Sequence, residues 1–189
     1  MNRRSLLRWI CRAIASVSAA VVAVPAVRFL LHPLLRRQKN DAIVRRLAPL
    51  DDLPVGKPQS FPILGTRQDA WTTYEEEVLG RVWIVRRSNS ETSPEQAQVE
   101  AFTAICPHLG CAIDWDKAHD HFLCPCHRAV FDSNGQPAAD ADLGYKNPTP
   151  RGMDALECRV VQDAETETWW VEVEFQRFEF GLTTQQALT

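Results

Sequence analysis

Two short motifs rich in cysteine and histidine constrain this chain more than any other feature of its sequence. The first motif is Cys106-Pro107-His108-Leu109-Gly110-Cys111, and after twelve residues the second motif is Cys124-Pro125-Cys126-His127. Thiolates and imidazoles at such close spacing are typical of a metal site, and a Cys₂His₂ donor set suits either zinc or a [2Fe–2S] cluster. Four ligands leave two cysteines over, one in each motif. We therefore expect a fold that brings the two motifs together.

The charge is distributed unevenly along the chain. Residues 1–39 contain eight basic side chains and no acidic one, whereas the remainder holds 13 basic and 24 acidic side chains. An acidic body repels the phosphate backbone, so the sequence argues against a nucleic-acid partner. The basic N-terminal end suits the cytoplasmic face of a membrane.

The N-terminus resembles an export signal that is followed by a membrane anchor. Asn2–Arg8 is similar to a twin-arginine signal, a type that exports proteins already folded around a cofactor. The uncharged run Ala13–Val27 has 15 residues, and the wider stretch Ile10–Leu31 has 22, which at about 1.5 Å per residue is enough to cross a membrane. Val24-Pro25-Ala26 offers a cleavage site. We expect the segment to stay as an anchor with its N-terminus inside the cell.

Beyond residue 56 the sequence alternates between apolar and polar residues as β-strands do. Such runs occur at 81–86, 99–105 and 169–175, and the last places its apolar side chains on one face and both glutamates on the other. Asn134-Gly135 is typical of a tight turn. These patterns predict a small antiparallel β domain. The predicted organisation is an anchor at 1–31, a connector at 32–56, the metal-binding β domain at 57–175 and a C-terminal tail at 176–189.

The two motifs resemble those of the Rieske proteins of quinol–cytochrome c reductases, the cytochrome bc₁ and b₆f complexes. In that family the motifs are C-T-H-L-G-C and C-P-C-H-G-S, and Pro148-Thr149-Pro150 is similar to the family's proline loop, which covers the cluster. The resemblance extends in order from the export signal to the proline loop. It implies a transmembrane helix followed by a small all-β Rieske domain, an antiparallel β-sandwich with a cluster-binding subdomain. One Rieske-type [2Fe–2S] cluster per chain is expected.

The resemblance also implies roles for individual residues. The four cluster ligands would be Cys106 and Cys124 on the inner iron, and His108 and His127 on the outer, solvent-facing iron. Cys111 and Cys126 would form a disulfide between the two motifs. Leu109 would shield the cluster, and Gly110 would permit a tight loop. His127 would be the catalytic residue, because it would accept a hydrogen bond and then a proton from quinol.

Two departures from the family pattern bear on function. Where the family has Gly-Ser after the last histidine and a Tyr two residues beyond the Ser, this chain has Arg128, Ala129 and Phe131. In the family, the hydroxyl groups of this Ser and Tyr stabilise the reduced cluster. Because this chain lacks both hydroxyl groups, the resemblance implies that its cluster has a lower reduction potential. A low-potential acceptor favours menaquinol. The second departure is in the connector, which lacks the family's Gly/Ala-rich hinge.

The function that the resemblance implies is that of a one-electron carrier in a quinol–cytochrome c reductase. Its partners would be quinol, a cytochrome b subunit and a c-type cytochrome or a plastocyanin-like acceptor. The protein would cross the bacterial inner membrane once, with the Rieske head on the periplasmic side. The activity would belong to the whole complex.

Three other classes of protein share some of these features. The small Rieske subunit of an arsenite-oxidase-type molybdenum enzyme also carries a twin-arginine signal, but both leftover cysteines and the H-L-G-C text argue against it. Ferredoxins and oxygenase components share the Cys/His spacing but are cytoplasmic and lack the disulfide. A zinc-stabilised binding module would contain no iron. His119 and His121, between the motifs, are expected to be exposed polar residues of a loop.

Overall fold

The fold was analysed in a computed structural model, which describes residues 2–35, 42–69, 72–88 and 93–188. The chain divides into two compact units, one within 1–39 and the other at 40–188. The helices and strands, in chain order, are α1 (Arg3–Leu35), β1 (Ile43–Pro49), β2 (Gln59–Asp69), β3 (Thr72–Arg86), β4 (Val99–Thr103), β5 (Asp114–Asp116), β6 (His121–Cys124), β7 (Ala129–Phe131), α2 (Asp140–Leu143), β8 (Ala155–Leu156), β9 (Cys158–Gln162) and β10 (Trp169–Phe175).

Helix α1 forms the first unit and contains the predicted anchor. It is 33 residues long, and its stretch Arg3–Leu31 is long and apolar enough to cross a membrane, with a mean hydropathy of 2.1. The helix continues through Pro25. Such a position is tolerated in membrane helices, where neighbouring groups can satisfy the freed carbonyl. Cleavage of the segment and the export signal itself stay predictions.

The second unit contains a sandwich of two antiparallel sheets, as expected. One sheet has the strand order β1-β10-β9 and the other β2-β3-β4-β8. Val171, Val173 and Phe175 of β10 point inward and pack against Ile63 and the rest of a buried apolar core. The glutamates of β10 alternate with these residues and lie on the other face. The predicted one-sided apolar pattern of this strand is therefore confirmed.

A third, smaller sheet, with the order β5-β6-β7, carries the second motif and has its own core. Strand β3 serves both cores, because successive side chains point to opposite faces of a strand. Ile84 packs in the sandwich core, whereas Trp83 packs in the second core against the ring of Phe122 at 5.5 Å. The indole Nε1 of Trp83 donates to the carbonyl of Ile113, just after the first motif, at 3.0 Å. The small sheet is thereby fixed to the sandwich.

The β unit extends beyond both boundaries that the sequence predicted. Strand β1 lies inside the predicted connector, yet it pairs with β10, with Ile43 opposite Phe175. Residues 36–41 of the connector lie outside the described residues. At the other end, the predicted tail is folded against the domain: Phe178 is buried in the sandwich core. A local pattern could not show either contact, because the partners are distant in sequence.

Candidate metal centre

The first motif forms a tight loop that is closed by hydrogen bonds between its own backbone groups. The amide of Cys106 donates to the carbonyl of Cys111 at 2.7 Å, and the amide of Gly110 donates to the carbonyl of Cys106 at 2.9 Å. Gly110 has a φ of +77°, and a Cβ there would lie 3.3 Å from the ring of Phe180. Glycine is therefore required both for the left-handed backbone and for the space.

The second motif is the turn of a tight hairpin. Strand β6 ends at Cys124 and β7 begins at Ala129, and these two residues are paired across the hairpin. Arg128 closes the turn with a φ of +58°. That conformation costs a non-glycine residue about 1–2 kcal/mol. Its carbonyl accepts a hydrogen bond from the hydroxyl of Tyr145 at 2.8 Å, and its guanidinium lies 5.0 Å from the centre of the same ring. Tyr145 therefore supports the strained turn, a role that the sequence did not suggest.

The fold brings the four predicted ligands together and sorts them by exposure. Cys106 and Cys124 are buried, with 1% and 2% of their surface exposed. The thiol of Cys124 lies close enough to that of Cys106 to raise the pKa of Cys106. The rings of His108 and His127 are 4.8 Å apart and nearly perpendicular. His108 is half-buried and His127 is exposed. Thiols inside and imidazoles outside are the arrangement that a cluster with one Cys₂ iron and one His₂ iron requires.

The environment of Cys106 favours a protonated thiol until a cation binds. Burial raises the pKa of Cys106 to about 12. The neighbouring Cys124 contributes to this rise, and hydrogen bonds from the amides of His108 and Leu109 oppose it. A thiolate in this position therefore needs a metal ion to compensate its charge. The same amides would then donate to a sulfur ligand. The residues present fit a [2Fe–2S] cluster.

A disulfide joins the two motifs, as predicted. Cys111 and Cys126 are bonded, with their Cα atoms 6.6 Å apart. The Sγ of Cys124 lies within 4.8 Å of both of these sulfurs. Bonded sulfurs are not thiolates, so those three cysteines do not form a metal site of their own. The disulfide ties one motif to the other directly beside a buried candidate ligand.

Asn147, just before the predicted proline loop, attaches that segment to the second motif. Its Nδ2 donates to the carbonyls of Val130 at 2.8 Å and Ala138 at 3.1 Å, and its Oδ1 accepts from the amide of Val130 at 3.4 Å. The side chain is buried. A buried side-chain amide of this kind supplies hydrogen-bond partners to backbone groups that water cannot reach. Asn147 is a positioning residue that no local sequence pattern distinguishes.

Replacing Asn147 with alanine should loosen the proline loop and destabilise the domain. The change removes the side-chain partner of the Val130 amide and of the Ala138 carbonyl, and each group left without a partner costs about 1–3 kcal/mol. The Val130 carbonyl keeps its hydrogen bond from the amide of Ala138. We expect a loss of about 2–4 kcal/mol in the free energy of unfolding, measured by urea denaturation of the β unit. Asn134→Ala, at an exposed position of a neighbouring turn, is the control and should change stability little. Equal stability of the two variants would contradict this assignment.

The C-terminal segment, residues 176–188, supports the first motif through hydrogen bonds. The amide of Gly181 donates to the carbonyl of Pro107 at 2.7 Å. The guanidinium of Arg151, which is paired with the buried Asp154 at 2.8 Å, also donates to the carbonyls of Glu179 and Leu182. This support could not be predicted from the sequence, because residues 176–189 contain no cysteine or histidine and their partners are distant in the chain.

Comparison with known proteins identifies the family to which the chain belongs. The model of the Rieske [2Fe–2S] domain matches residues 45–145, which is more than half of the chain and includes both motifs. The chain belongs to the Rieske [2Fe–2S] domain family. A Rieske-type cluster is therefore its cofactor, in agreement with the prediction.

Its relatives are iron–sulfur subunits of electron-transfer complexes. The menaquinol:cytochrome c reductase iron–sulfur subunit of Bacillus subtilis is 29% identical over 71% of this chain and 75% of the relative. The cytochrome b6-f complex iron–sulfur subunit of Chlorobaculum tepidum is 30% identical over 71% of this chain and 61% of the relative. Among solved structures, the plasma membrane Rieske protein PetC3 from Synechocystis aligns at 23% identity, over 67% of this chain and 97% of that one, with a TM-score of 0.40.

Two of the three residues that depart from the Rieske pattern lie in the core behind the second motif. Ala129 and Phe131 are fully buried, and both belong to the apolar core of the small sheet. Their side chains carry no hydroxyl group. The core beside this Rieske centre is consequently less polar than the resemblance alone would imply.

Proposed function

We propose that this chain is the Rieske subunit of a quinol–cytochrome c reductase and carries single electrons from quinol to a c-type cytochrome. The observation that carries the proposal is the exposure of His127 beside the half-buried His108, above two buried thiols. An imidazole edge at the surface can meet a substrate held by another subunit. The names of the relatives, iron–sulfur subunits of a menaquinol:cytochrome c reductase and of a cytochrome b6-f complex, support the same role. The reductase activity belongs to the complex and not to this subunit alone.

Cys106 and Cys124 would hold one iron, and His108 and His127 the other. When bound, the cluster supplies a one-electron redox centre in which the proton affinity of the imidazole ligands depends on the oxidation state of iron. The free ring nitrogen of His127 accepts the hydrogen bond of the quinol hydroxyl and then holds its proton. Leu109, 54% exposed beside the histidines, offers an apolar contact to the partner that binds the quinol.

The partners and location follow from this role. A cytochrome b subunit would bind the quinol and take its second electron, and a c-type cytochrome or a plastocyanin-like protein would receive the first. Helix α1 would cross the membrane once. The twin-arginine resemblance of Asn2–Arg8 supports a bacterial inner membrane and a head on the periplasmic side.

Menaquinol is the favoured quinol. Ala129 and Phe131 offer no hydroxyl donor to the sulfurs of the cluster. Donors to sulfur stabilise the more negative, reduced state and raise the potential, so their loss lowers it within the Rieske range of about −150 to +300 mV. Menaquinol is a stronger reductant than ubiquinol and can reduce such a centre. The Bacillus subtilis relative is named for menaquinol.

Restoring the two hydroxyl groups should raise the midpoint potential. A hydrogen bond to a charged group contributes about 1.5–3 kcal/mol, and only its difference between the redox states counts. For a one-electron couple, about 1.4 kcal/mol corresponds to roughly 59 mV. We expect Ala129→Ser with Phe131→Tyr to raise the midpoint by tens of millivolts to somewhat over 100 mV, measured by protein-film voltammetry on the β unit.

The control for this change is Phe61→Tyr, which adds the same hydroxyl to a ring packed against the other core. It should leave the midpoint unchanged. A double variant with an intact cluster and an unchanged or lower midpoint would show that other groups set the potential. The preference for menaquinol would then rest on the relative alone.

The composition of the native complex tests the function directly. The chain, tagged after residue 189, would be purified from its own membranes in mild detergent and analysed for haem and metals. Co-purification of b-type haem, with quinol-dependent reduction of a c-type cytochrome that His127→Ala abolishes, is the expected result. Molybdenum in place of haem b would instead support the arsenite-oxidase-type subunit.

A further inference from the structure

We propose that Asp116, His119 and His121 form a second metal site, which binds Zn²⁺ in preference to Ca²⁺ and Mg²⁺ and is separate from the Rieske centre. The three residues lie at the closed end of the β5–β6 hairpin. Asp116 ends β5 and faces His121, the first residue of β6, as its partner in register. His119 lies in the turn between them, which Asp120 makes tight with a φ of +49°. The hairpin therefore gathers residues that the sequence had placed on an undefined loop.

The donor atoms are already close to the spacing that zinc requires. The Nδ1 of His119 lies 2.8 Å from the Oδ2 of Asp116, and the Nε2 of His121 lies 4.0 Å from the same oxygen. The two imidazole rings are stacked, with centres 5.5 Å apart and planes inclined by 17°. Ligands at about 2.0–2.1 Å from a tetrahedral zinc ion are roughly 3.3 Å from one another. Each of the two measured spacings differs from that value by less than an ångström.

The carboxylate is held in position for this role. The Oδ1 of Asp116 accepts a hydrogen bond from the amide of Ala118 at 2.9 Å, which leaves Oδ2 directed at the histidines. Orienting contacts of this kind are what raise the affinity of a metal ligand. His119 is the most exposed member, with 68% of its side-chain surface accessible, whereas Asp116 and His121 are more than two-thirds covered. The site is open on one side and leaves a position for water.

The donor atoms of this site favour zinc over calcium and magnesium. Two imidazole nitrogens and one carboxylate oxygen form a set that zinc accepts with three protein ligands and one open position. Calcium and magnesium prefer oxygen ligands only. The site also faces away from the Rieske centre, because His121 and Cys124 are three residues apart on β6 and therefore point to opposite faces of that strand.

Zinc binding can be measured on the full-length protein in detergent, loaded with its cluster. After dialysis against a buffer that holds free Zn²⁺ at micromolar concentration, we expect one zinc per chain with unchanged iron content and visible spectrum. Zinc K-edge absorption should show a shell of nitrogen and oxygen only. A sulfur shell would place the zinc on the cysteines of the Rieske centre and overturn the proposal, as would the absence of bound zinc.

Variants separate this site from general surface binding. His119→Gln, His121→Gln and Asp116→Asn should each weaken zinc binding by at least tenfold, and the double histidine variant by at least a hundredfold, while iron is retained. Asp120→Asn is the matched control, since Asp120 lies between the histidines but outside the donor group, and asparagine tolerates its left-handed backbone. The proposal fails if the control weakens binding as much as the histidine variants, or if the latter bind zinc normally.

Discussion

Replacing Cys124 with serine is expected to remove the [2Fe–2S] cluster from this protein completely. Cys124 is buried, and its thiol lies close enough to that of Cys106 to raise the pKa of Cys106. A serine hydroxyl does not supply the soft thiolate donor that iron–sulfur clusters use, and the buried position admits no substitute ligand from solvent. We expect no iron, no labile sulfide and no reduced-state electron paramagnetic resonance signal of the Rieske type. Quinol oxidation by the complex should be lost with them.

Cys158→Ser is the matched control for this variant. Cys158 lies on β9 in the sandwich, where its thiol contacts the carbonyl of Val99 at 3.1 Å. The same change of sulfur to oxygen there should leave the cluster, its spectrum and its potential intact. A Cys124→Ser protein that still holds a full Rieske cluster would rule Cys124 out as a ligand. Stoichiometric zinc without iron in the wild-type protein would contradict the cluster assignment altogether.

Removing the disulfide should have the second largest effect. Cys111 and Cys126 are 15 residues apart in sequence, and closing a loop of that size contributes about 3 kcal/mol through the entropy of the unfolded chain. In Cys111→Ser/Cys126→Ser, both motifs keep their predicted ligands but lose the link between them. We expect the free energy of unfolding to fall by about 3 kcal/mol and the cluster to be lost much faster at raised temperature.

Reductant provides the control for this experiment. Dithiothreitol should destabilise the wild-type protein toward the level of the double variant and leave the double variant unchanged. Non-reducing peptide mapping of the exported protein should recover Cys111 cross-linked to Cys126. Two free thiols in that map, or a double variant as stable as the wild type, would show that the loops are held by other contacts.

Short-range chemistry could be predicted from the sequence. Both motifs are a few residues long, so their donors and the two leftover cysteines follow from residue identity and spacing. The tight loop at Gly110 was implied by the resemblance to Rieske proteins. The apolar helix and the one-sided pattern of Trp169–Phe175 are equally local, because side-chain periodicity is fixed by backbone geometry. The pairing of Cys111 with Cys126 came instead from the resemblance to Rieske proteins, and the structure contains it.

The supports around the centre could not be predicted in the same way. Asn147 and Tyr145 act on residues 17 positions away, at Val130 and Arg128. Nothing in their own neighbourhood distinguishes them from other polar residues of a loop. Their importance depends on which backbone groups the fold leaves buried, and that is decided only when the hairpin of the second motif packs against the segment before the proline loop.

The sequence by itself determined which residues can bind a metal, and the tertiary structure decided how the site is held and where the domain ends. Ligand identity is a property of single residues, so the Cys/His motifs indicate a metal centre, and their resemblance to the Rieske motifs indicates a [2Fe–2S] cluster in place of zinc. Pairing of Ile43 with Phe175, and of Gly181 with Pro107, joins residues far apart in the chain. Such contacts are selected by the burial of a shared core and not by local pattern, because many strand pairings satisfy the same alternation. The same reason explains Asp116, His119 and His121, which became a cluster only when β5 and β6 paired in register.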